Sequence, residues 1–428
     1  MTTLTWKPLR SALAGLLAAG LTLNAAVPNV LHISVDGLGA LYLQPYVSNA
    51  PAQFPNFHRL QTEGAFTYNA RCDFGASETI PNHTSMFTGR PALQPAGFPN
   101  TTHHGCLNNS PGPEETYHNS GNLNVSYKAS LFDVIHDHGL STGLFTGKSK
   151  LALCDRSYDE ENGAPDFIGL DNGQDKIDEA LTGDFSAYYG TDFRTQIDAL
   201  LVNLQSGAPH RYNFLHISEP DLTGHTTGWG NANYSNMVRQ VDAQLGRLFE
   251  AVTTNAVLSN QTVLIVTTDH GGRGLFGHSE PQYRENYTIP FFLWGPGIPS
   301  GVNLYSLFPN RADPGTNRLD YTVTPQPIRN GDGGNLALTL LGLPPIPGSL
   351  MLPWFAPDGV RLAHNPATAA AEVSWPAAAS SFRLESSTQL GPSAVWQPQT
   401  NGVTEANGRK IFPVSTGGSA VFYRLRKL

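Results

Sequence analysis

The segment Asn29–Gly37, NVLHISVDG, decides the fold. Its first seven residues are mostly apolar, which is typical of a short strand buried in a parallel sheet, and Asp36 follows directly. Two similar runs recur far downstream, where RYNFLHIS precedes Asp221 and QTVLIVTT precedes Asp269. Because parallel strands end together at one edge of a sheet, we expect these three carboxylates to converge there.

Strand-like and helix-like patterns alternate from about residue 28 to residue 296, which predicts a mostly parallel sheet sandwiched by helices. The clearest helix is Tyr234–Thr253, whose apolar residues recur at helical spacing and give one buried face. A second crossover helix, SLFDVIHDHG, ends at Gly139 and leads into the strand STGLFTG. The expected fold class is therefore α/β.

The pattern changes near Pro344, beyond which short alternating segments are separated by Gly, Ser, Pro and Asn. This pattern is typical of a small antiparallel β module. We expect three regions: a signal peptide over 1–26, the main α/β domain over 27–360, and the β module over 361–428. The module holds no cluster of titratable residues, so it suits contact with a surface or a glycan better than catalysis.

The first 26 residues have the features of a secretory signal. Lys7 and Arg10 precede the apolar run SALAGLLAAGLTL, and the small residues NAA follow it. The run is shorter than the roughly 20 residues that a membrane span requires, and no later segment is longer and as apolar. The sequence therefore predicts an exported protein, periplasmic or extracellular, without a membrane span.

Net charge and cysteine content limit the kinds of ligand that this protein is expected to bind. The net charge of −8 is spread without basic clusters, which argues against a nucleic-acid polymer as partner. The three cysteines, Cys72, Cys106 and Cys154, allow one disulfide at most, and their spacing matches no zinc motif. We therefore give the cysteines no metal-binding role.

The acidic and histidine residues after the strands favour metal binding. Asp221 and His225 are four residues apart, so both fall on one side of a helical turn, while Asp269 and His270 are adjacent. Either pair alone could be a buried ion pair, but burying several carboxylates together is unfavourable unless cations neutralise them. Mixed oxygen and nitrogen ligands suit zinc best, with manganese or iron as lesser options. The sequence thus predicts two metal sites.

Thr79 lies in the segment SETIPNHT, residues 77–84. Pro81 is expected near the start of a helix, which leaves Thr79 at the N-terminal end, where free N–H groups favour an anion. A hydroxyl at that place can act as a nucleophile, although an isolated threonine before a helix more often serves as a cap.

Together these motifs resemble the alkaline phosphatase superfamily, and especially its type I phosphodiesterase and nucleotide pyrophosphatase branch. The resemblance covers roughly residues 28–300 and rests on an ordered set of short motifs, namely Asp36-Gly37, Thr79-x-Pro81-Asn82-His83, Asp221-x-x-Gly224-His225 and Asp269-His270-Gly271. It implies an alkaline phosphatase-like fold with two zinc ions that hold an attacking Thr or Ser and the scissile phosphoryl group.

The resemblance divides the metal ligands into two groups. One zinc ion would be held by Asp36, Asp269 and His270, and the other by Asp221, His225 and a third histidine.

Two residues compete for the place of that third histidine. His278 has the shorter spacing seen elsewhere in the superfamily, whereas His364 has the distant position used by many phosphodiesterases. We prefer His278.

The resemblance also implies the catalytic groups. Thr79 would contact both metal ions as an alkoxide and become a phosphothreonine intermediate. Asn109, in the segment HGCLNN, would hydrogen-bond a phosphoryl oxygen. Lys148 and Lys150, in GKSK after a predicted strand, would bind a substrate anion as similar lysines do in phosphonoacetate hydrolases; the alternative is a solvated loop.

The function implied is an exported two-zinc hydrolase that cleaves a small phosphate diester. The alternatives are a phosphonate hydrolase, a phosphomonoesterase and a sulfatase of the same superfamily. A sulfatase would need Cys or Ser in a Cys/Ser-x-Pro-x-Arg motif, where this chain has Thr79 and His83. A non-catalytic binding protein ranks last because the nucleophile and the ligands are all present.

Overall fold

The computed structural model describes residues 29–427 except 167, 169–170, 309, 354–360, 366–369, 377–381, 390–394, 407–408 and 415–420. The described residues fall into two compact units, within 26–353 and within 354–428. The expected signal peptide, 1–26, lies outside the described residues. Among the described helices, none combines the length and apolar character that a bilayer span requires.

The first unit is built on one large sheet. Its strands are β1 (Asn29–Val35), β2 (Ala65–Arg71), β3 (Thr142–Thr146), β4 (Glu179–Thr182), β5 (Tyr212–Ile217), β6 (Thr262–Thr267), β7 (Thr288–Trp294) and β8 (Val302–Asn303). The order across the sheet is β4-β3-β5-β1-β6-β7-β2-β8. From β4 to β6 all neighbours are parallel, whereas β7 runs antiparallel to both β6 and β2. The predicted mostly parallel sheet is confirmed.

Helices cover both faces of this sheet. They are α1 (Ala40–Asn49), α2 (Pro55–Glu63), α3 (Thr79–Thr88), α4 (Tyr117–Ser120), α5 (Leu131–Asp137), α6 (Ala152–Ser157), α7 (Thr195–Leu204), α8 (Glu219–Thr227), α9 (Ala232–Thr254), α10 (Arg284–Tyr287) and α11 (Asp332–Leu341). The predicted crossover helix is α9, which begins two residues earlier than expected and packs its apolar face with α1, α2 and α7 on one side. On the other side, Gly333 of α11 approaches His32 of β1 closely.

The central strands β5, β1 and β6 are buried along their whole length. Leu31, Ile33 and Val35 of β1 join the main core on the α9 side, and such side chains each contribute about 1.5–3 kcal/mol when fully buried. This core fixes the strand ends, and therefore the positions of the polar residues that follow them.

The second unit is antiparallel, as predicted. Its strands are β9 (Arg361–Asn365), β10 (Ala370–Pro376), β11 (Phe382–Ser387), β12 (Gln397–Pro398), β13 (Thr404–Ala406), β14 (Arg409–Val414) and β15 (Phe422–Lys427). They form two sheets, in the orders β13-β14-β10-β9 and β12-β11-β15. Val373, Trp375 and Leu384 are among the buried residues of its small core.

The cysteines do not form a disulfide. Cys72, Cys106 and Cys154 are all buried and unbridged, so the single bridge that their number allows is absent. Burial raises the pKa of the Cys72 and Cys106 thiols to about 12, which keeps them protonated and unreactive at neutral pH.

Candidate active site

The predicted residues meet at the carboxyl ends of three adjacent strands. Asp36 follows β1, Asp221 lies in the first turn of α8 after β5, and Asp269 and His270 follow β6. All three carboxylates are buried. The parallel register of β5, β1 and β6 brings them together because each strand ends at the same edge.

The first cluster consists of Asp36, Asp269 and His270, whose potential ligand atoms all lie within 4.8 Å of one another. The Nε2 atom of His270 is 3.2 Å from Asp269 Oδ2 and 3.5 Å from Asp36 Oδ1. The other ring nitrogen, Nδ1, donates to the carbonyl oxygen of Gly271 at 2.8 Å. That hydrogen bond leaves the Nε2 lone pair free to bind a cation.

The second cluster consists of Asp221, His225 and His278. The Nε2 atoms of the two histidines are 3.0 Å apart, and they lie 3.4 Å and 3.3 Å from Asp221 Oδ1. His278 Nδ1 donates to the carbonyl oxygen of Ser77 at 2.6 Å, which turns Nε2 towards the cluster. The competing residue, His364, belongs to β9 of the second unit, and its side chain lies outside the described part of the chain.

Several polar atoms in these clusters have no hydrogen-bond partner, and this indicates whether the clusters could bind metal ions. Asp36 Oδ1, Asp221 Oδ1, Asp269 Oδ2 and His270 Nε2 are buried without a hydrogen-bond partner. Burial and the neighbouring Asp36 raise the pKa of Asp269 well above its usual value, so the surrounding side chains do not neutralise this carboxylate. The donor set and its unpaired atoms therefore fit two metal ions.

Lys148 lies between the two clusters. Its Nζ atom is 2.7 Å from Asp36 Oδ2 and 2.6 Å from Asp221 Oδ2, and the residue is 5% exposed. Burial lowers its pKa, but the two carboxylates raise it more, so the lysine stays charged. Lys148 is thus not part of a solvated loop.

Thr79 is the first residue of α3 and lies next to Asp36 of the first cluster. Its Oγ1 atom lies 3.5 Å from Asp36 Oδ2 and 3.4 Å from Lys148 Nζ. Glu78 holds the N-cap position of α3, so Thr79 does not cap the helix.

Asn109 is brought to the same helix end. Its Oδ1 atom accepts hydrogen bonds from the Ile80 N–H at 3.0 Å and from Lys150 Nζ at 3.1 Å. The structure therefore brings Asp36, Asp221, Asp269 and the other residues preferred from the sequence to one centre.

Two buried histidines support this centre, and the sequence analysis did not identify them as functional. His216 Nε2 donates to Asp36 Oδ2 at 2.9 Å, while its Nδ1 accepts from the Gly147 N–H at 3.3 Å. His83 Nδ1 donates to the carbonyl oxygen of Thr79 at 2.8 Å. The available signal for His216 was a polar residue near the end of an apolar strand.

Trp229 is a third residue that the sequence analysis missed. Its indole Nε1 donates to the carbonyl oxygen of Gly37 at 3.0 Å. The ring packs so closely against Gly224 and Gly272 that a Cβ atom at either glycine would overlap it. Trp229 therefore contacts the three segments that carry Asp36, Asp221 and Asp269.

Comparisons of sequence and of structure match this chain to known proteins. The family model described as type I phosphodiesterase / nucleotide pyrophosphatase matches residues 30–280. Ectonucleotide pyrophosphatase/phosphodiesterase family member 1 of Mus musculus is 26% identical over 248 residues, which are 57% of this chain and 24% of that protein. Member 7 of Homo sapiens is 44% identical over 57 residues, 13% of this chain and 12% of that protein.

The matched region is only a part of the longer relatives. The chain spans about a quarter of the length of member 1, the first of the curated relatives that it matches (24%). Among solved structures, murine ectonucleotide pyrophosphatase / phosphodiesterase 5 matches with a TM-score of 0.49 and 16% identity, over 74% of this chain and 96% of that chain.

Proposed function

The chain belongs to the type I phosphodiesterase / nucleotide pyrophosphatase family, and from that premise we propose that it is an exported, zinc-dependent hydrolase of small phosphate diesters. The observation that carries the proposal is the position of Thr79. Its hydroxyl lies at a helix N-terminus beside Asp36 of the first cluster and beside Lys148, which also contacts Asp221 of the second cluster. The N-terminal pattern of charged and apolar residues over 1–26 supports export.

The two clusters would hold one zinc ion each. The ligands would be Asp36, Asp269 and His270 for one ion, and Asp221, His225 and His278 for the other. Oxygen and nitrogen ligands of this kind suit zinc. When bound, the ions would lower the pKa of the Thr79 hydroxyl and neutralise charge on the phosphoryl group.

The chain's own residues would organise the attack on phosphorus. Thr79 Oγ1 forms the new bond, and the leaving alcohol departs from the opposite side. Lys148 Nζ, 3.4 Å from Oγ1, stabilises negative charge on that oxygen. His83 holds the first turn of α3 through the Thr79 carbonyl. Water then hydrolyses the phosphothreonine and restores the hydroxyl.

Asn109 would bind a phosphoryl oxygen. Because its Oδ1 atom already accepts from Ile80 and Lys150, the amide N–H₂ group is left to donate. The positive end of the α3 helix dipole favours an anion at the same place.

A phosphonate hydrolase is the second candidate. The observation that favours it is the arrival of both Lys148 and Lys150 at the site, which provides two cations for a small anionic substrate.

The decisive experiment compares bis-(p-nitrophenyl) phosphate with p-nitrophenyl phosphate and a phosphonate, using zinc-loaded protein. We expect preference for the diester. Thr79→Ala should lower kcat by about a thousandfold or more, since a lost nucleophile costs at least that much in comparable enzymes. Thr79→Ser is the matched control, because it keeps a hydroxyl at the same place.

Acid-quenched protein should carry phosphate on the peptide that contains Thr79. Undiminished turnover by Thr79→Ala would refute the assigned nucleophile. Preference for the monoester or the phosphonate would refute the diesterase assignment.

A further inference from the structure

A cavity of about 440 Å³ opens beside the candidate active site. Its wall is formed by Asn109, the segment 110–113, Ser149, Lys150 and Arg156. Asn109 connects the cavity with the reaction centre, because its Oδ1 atom accepts from the N–H of Ile80, the residue after Thr79. The cavity therefore lies next to the first turn of α3, which begins at Thr79.

Two cations face this cavity, and no acidic side chain is part of its wall. The contrast with Lys148 is informative, since Lys148 contacts two carboxylates at 2.6–2.7 Å. Lys150, two residues later, has its hydrogen bond with the neutral Asn109. Within the described ranges, no carboxylate lies within 4.0 Å of the charged nitrogens of Lys150 or Arg156.

Arg156, in the last turn of α6, is held in the wall by hydrogen bonds. Its Nη1 atom donates to the carbonyl oxygens of Gly112 at 3.3 Å and Glu115 at 2.6 Å. The Glu115 carboxylate instead accepts from Asn108 Nδ2 at 3.0 Å and from the Gly112 N–H at 3.1 Å. The guanidinium is thus positioned by neutral carbonyl groups, and the neighbouring Asp155, whose pKa burial raises and the guanidinium lowers, does not form a salt bridge within 4.0 Å with it.

We propose that this cavity binds a second anionic group, a carboxylate or a phosphate, on the same substrate molecule whose scissile phosphoryl group lies at Thr79. This inference rests on the proposed function and specifies its substrate class. Partly buried cations that lack a salt bridge are unfavourable, so an anion that enters gains attraction to both Lys150 and Arg156. The planar guanidinium also matches the geometry of carboxylate and phosphate oxygens.

The test compares three p-nitrophenyl diesters that differ only in the second alcohol: propyl, 2-carboxyethyl and 2-phosphoethyl. For the wild-type protein at low salt, kcat/KM for one or both anionic esters should exceed that of the propyl ester by about 10- to 100-fold, the range expected for hydrogen bonds to a charged group. The two anionic esters distinguish a carboxylate from a phosphate.

Arg156→Gln should remove most of this preference and leave turnover of the propyl ester within about twofold of the wild type, because it deletes only one charge-assisted contact. Arg156→Lys is the matched control and should retain part of the preference. An equal loss for all three esters would show that Arg156 only supports the fold, and would overturn the inference. Equal kcat/KM values in the wild-type protein would overturn it as well.

A binding measurement separates this inference from the proposed function. Titration calorimetry on Thr79→Ala would compare 2-carboxyethyl phosphate with propyl phosphate, and repeat both in Thr79→Ala/Arg156→Gln. Tighter binding of 2-carboxyethyl phosphate that disappears in the double variant supports the cavity assignment, even if no diester is hydrolysed and the proposed function fails. Equal binding of both probes to Thr79→Ala would overturn the assignment whatever the activity.

Discussion

Trp229 should control metal affinity although it is not a ligand. The indole is 4% exposed and contacts the segments that carry Asp36, Asp221 and Asp269. Replacing Trp229 with Ala leaves a cavity where these three segments meet, and replacing it with Phe keeps most of the ring but removes the indole N–H. The two substitutions therefore separate packing from hydrogen bonding.

The expected magnitudes follow from these contacts. Trp229→Ala should lower the free energy of unfolding by about 3–5 kcal/mol, the usual cost of removing a buried Trp. Trp229→Phe loses one hydrogen bond to Gly37, worth about 0.5–1.5 kcal/mol. The Gly37 carbonyl is not orphaned in that variant, because Tyr234 Oη also donates to it at 2.8 Å. In Trp229→Ala the loosened segments should bind zinc about 10- to 100-fold more weakly, as when other groups that orient ligands are lost.

Zinc affinity would be measured by competition with a fluorescent chelator, and stability by urea denaturation of the metal-free protein. Trp294→Phe is the matched control, since Trp294 lies in β7 and donates to Glu63 on the surface, away from the clusters. That variant should keep the wild-type zinc affinity. If Trp229→Ala loses stability but binds zinc within twofold of the wild type, Trp229 is only a core residue and the reasoning is refuted.

Three further outcomes are expected. His278→Ala should bind one zinc ion per chain by elemental analysis while His364→Ala keeps two; the reverse result would exchange their assignments. Burial, with the like charge of Lys148, lowers the pKa of Lys150 to about 8, so the lysine is charged below that pH and neutral above it. The kcat/KM advantage of anionic esters should therefore fall as pH rises through about 8, and a flat profile would exclude Lys150 from anion binding. Dialysis against a chelator should lower the melting temperature, since Asp269 then lacks a neutralising cation; an unchanged midpoint would contradict a bound metal.

The sequence predicted those parts of the fold that depend on local pattern. The buried strands before Asp36, Asp221 and Asp269 were recognisable because each is a short apolar run that ends in polar residues. The long crossover helix was recognisable from its 3.6-residue periodicity. The antiparallel direction of β7 could not be recognised from the sequence, because an apolar run such as TIPFFLW has the same composition in either direction.

The site was predictable only as far as its motifs reached. Thr79 and the metal-binding groups follow from spacing and resemblance, and the structure gathers them. The roles of His216 and Trp229 depend on tertiary contacts with residues 180 and 192 positions away in the chain, which no local pattern records. Arg156 was overlooked for the same reason, since its proposed role depends on the cavity that it lines.

Lys148 shows how a lysine and two metal ions can share one set of buried carboxylates. Its Nζ atom contacts the Oδ2 atoms of Asp36 and Asp221, whereas the Oδ1 atoms of both residues are left without a hydrogen bond. Each carboxylate therefore turns one oxygen to the lysine and the other to its own cluster. The single charge of Lys148 cannot neutralise the three buried carboxylates of Asp36, Asp221 and Asp269. Their unpaired oxygens would therefore be stabilised by bound cations. The lysine is thus better placed to hold the two clusters in register beside Thr79 than to replace a metal ion.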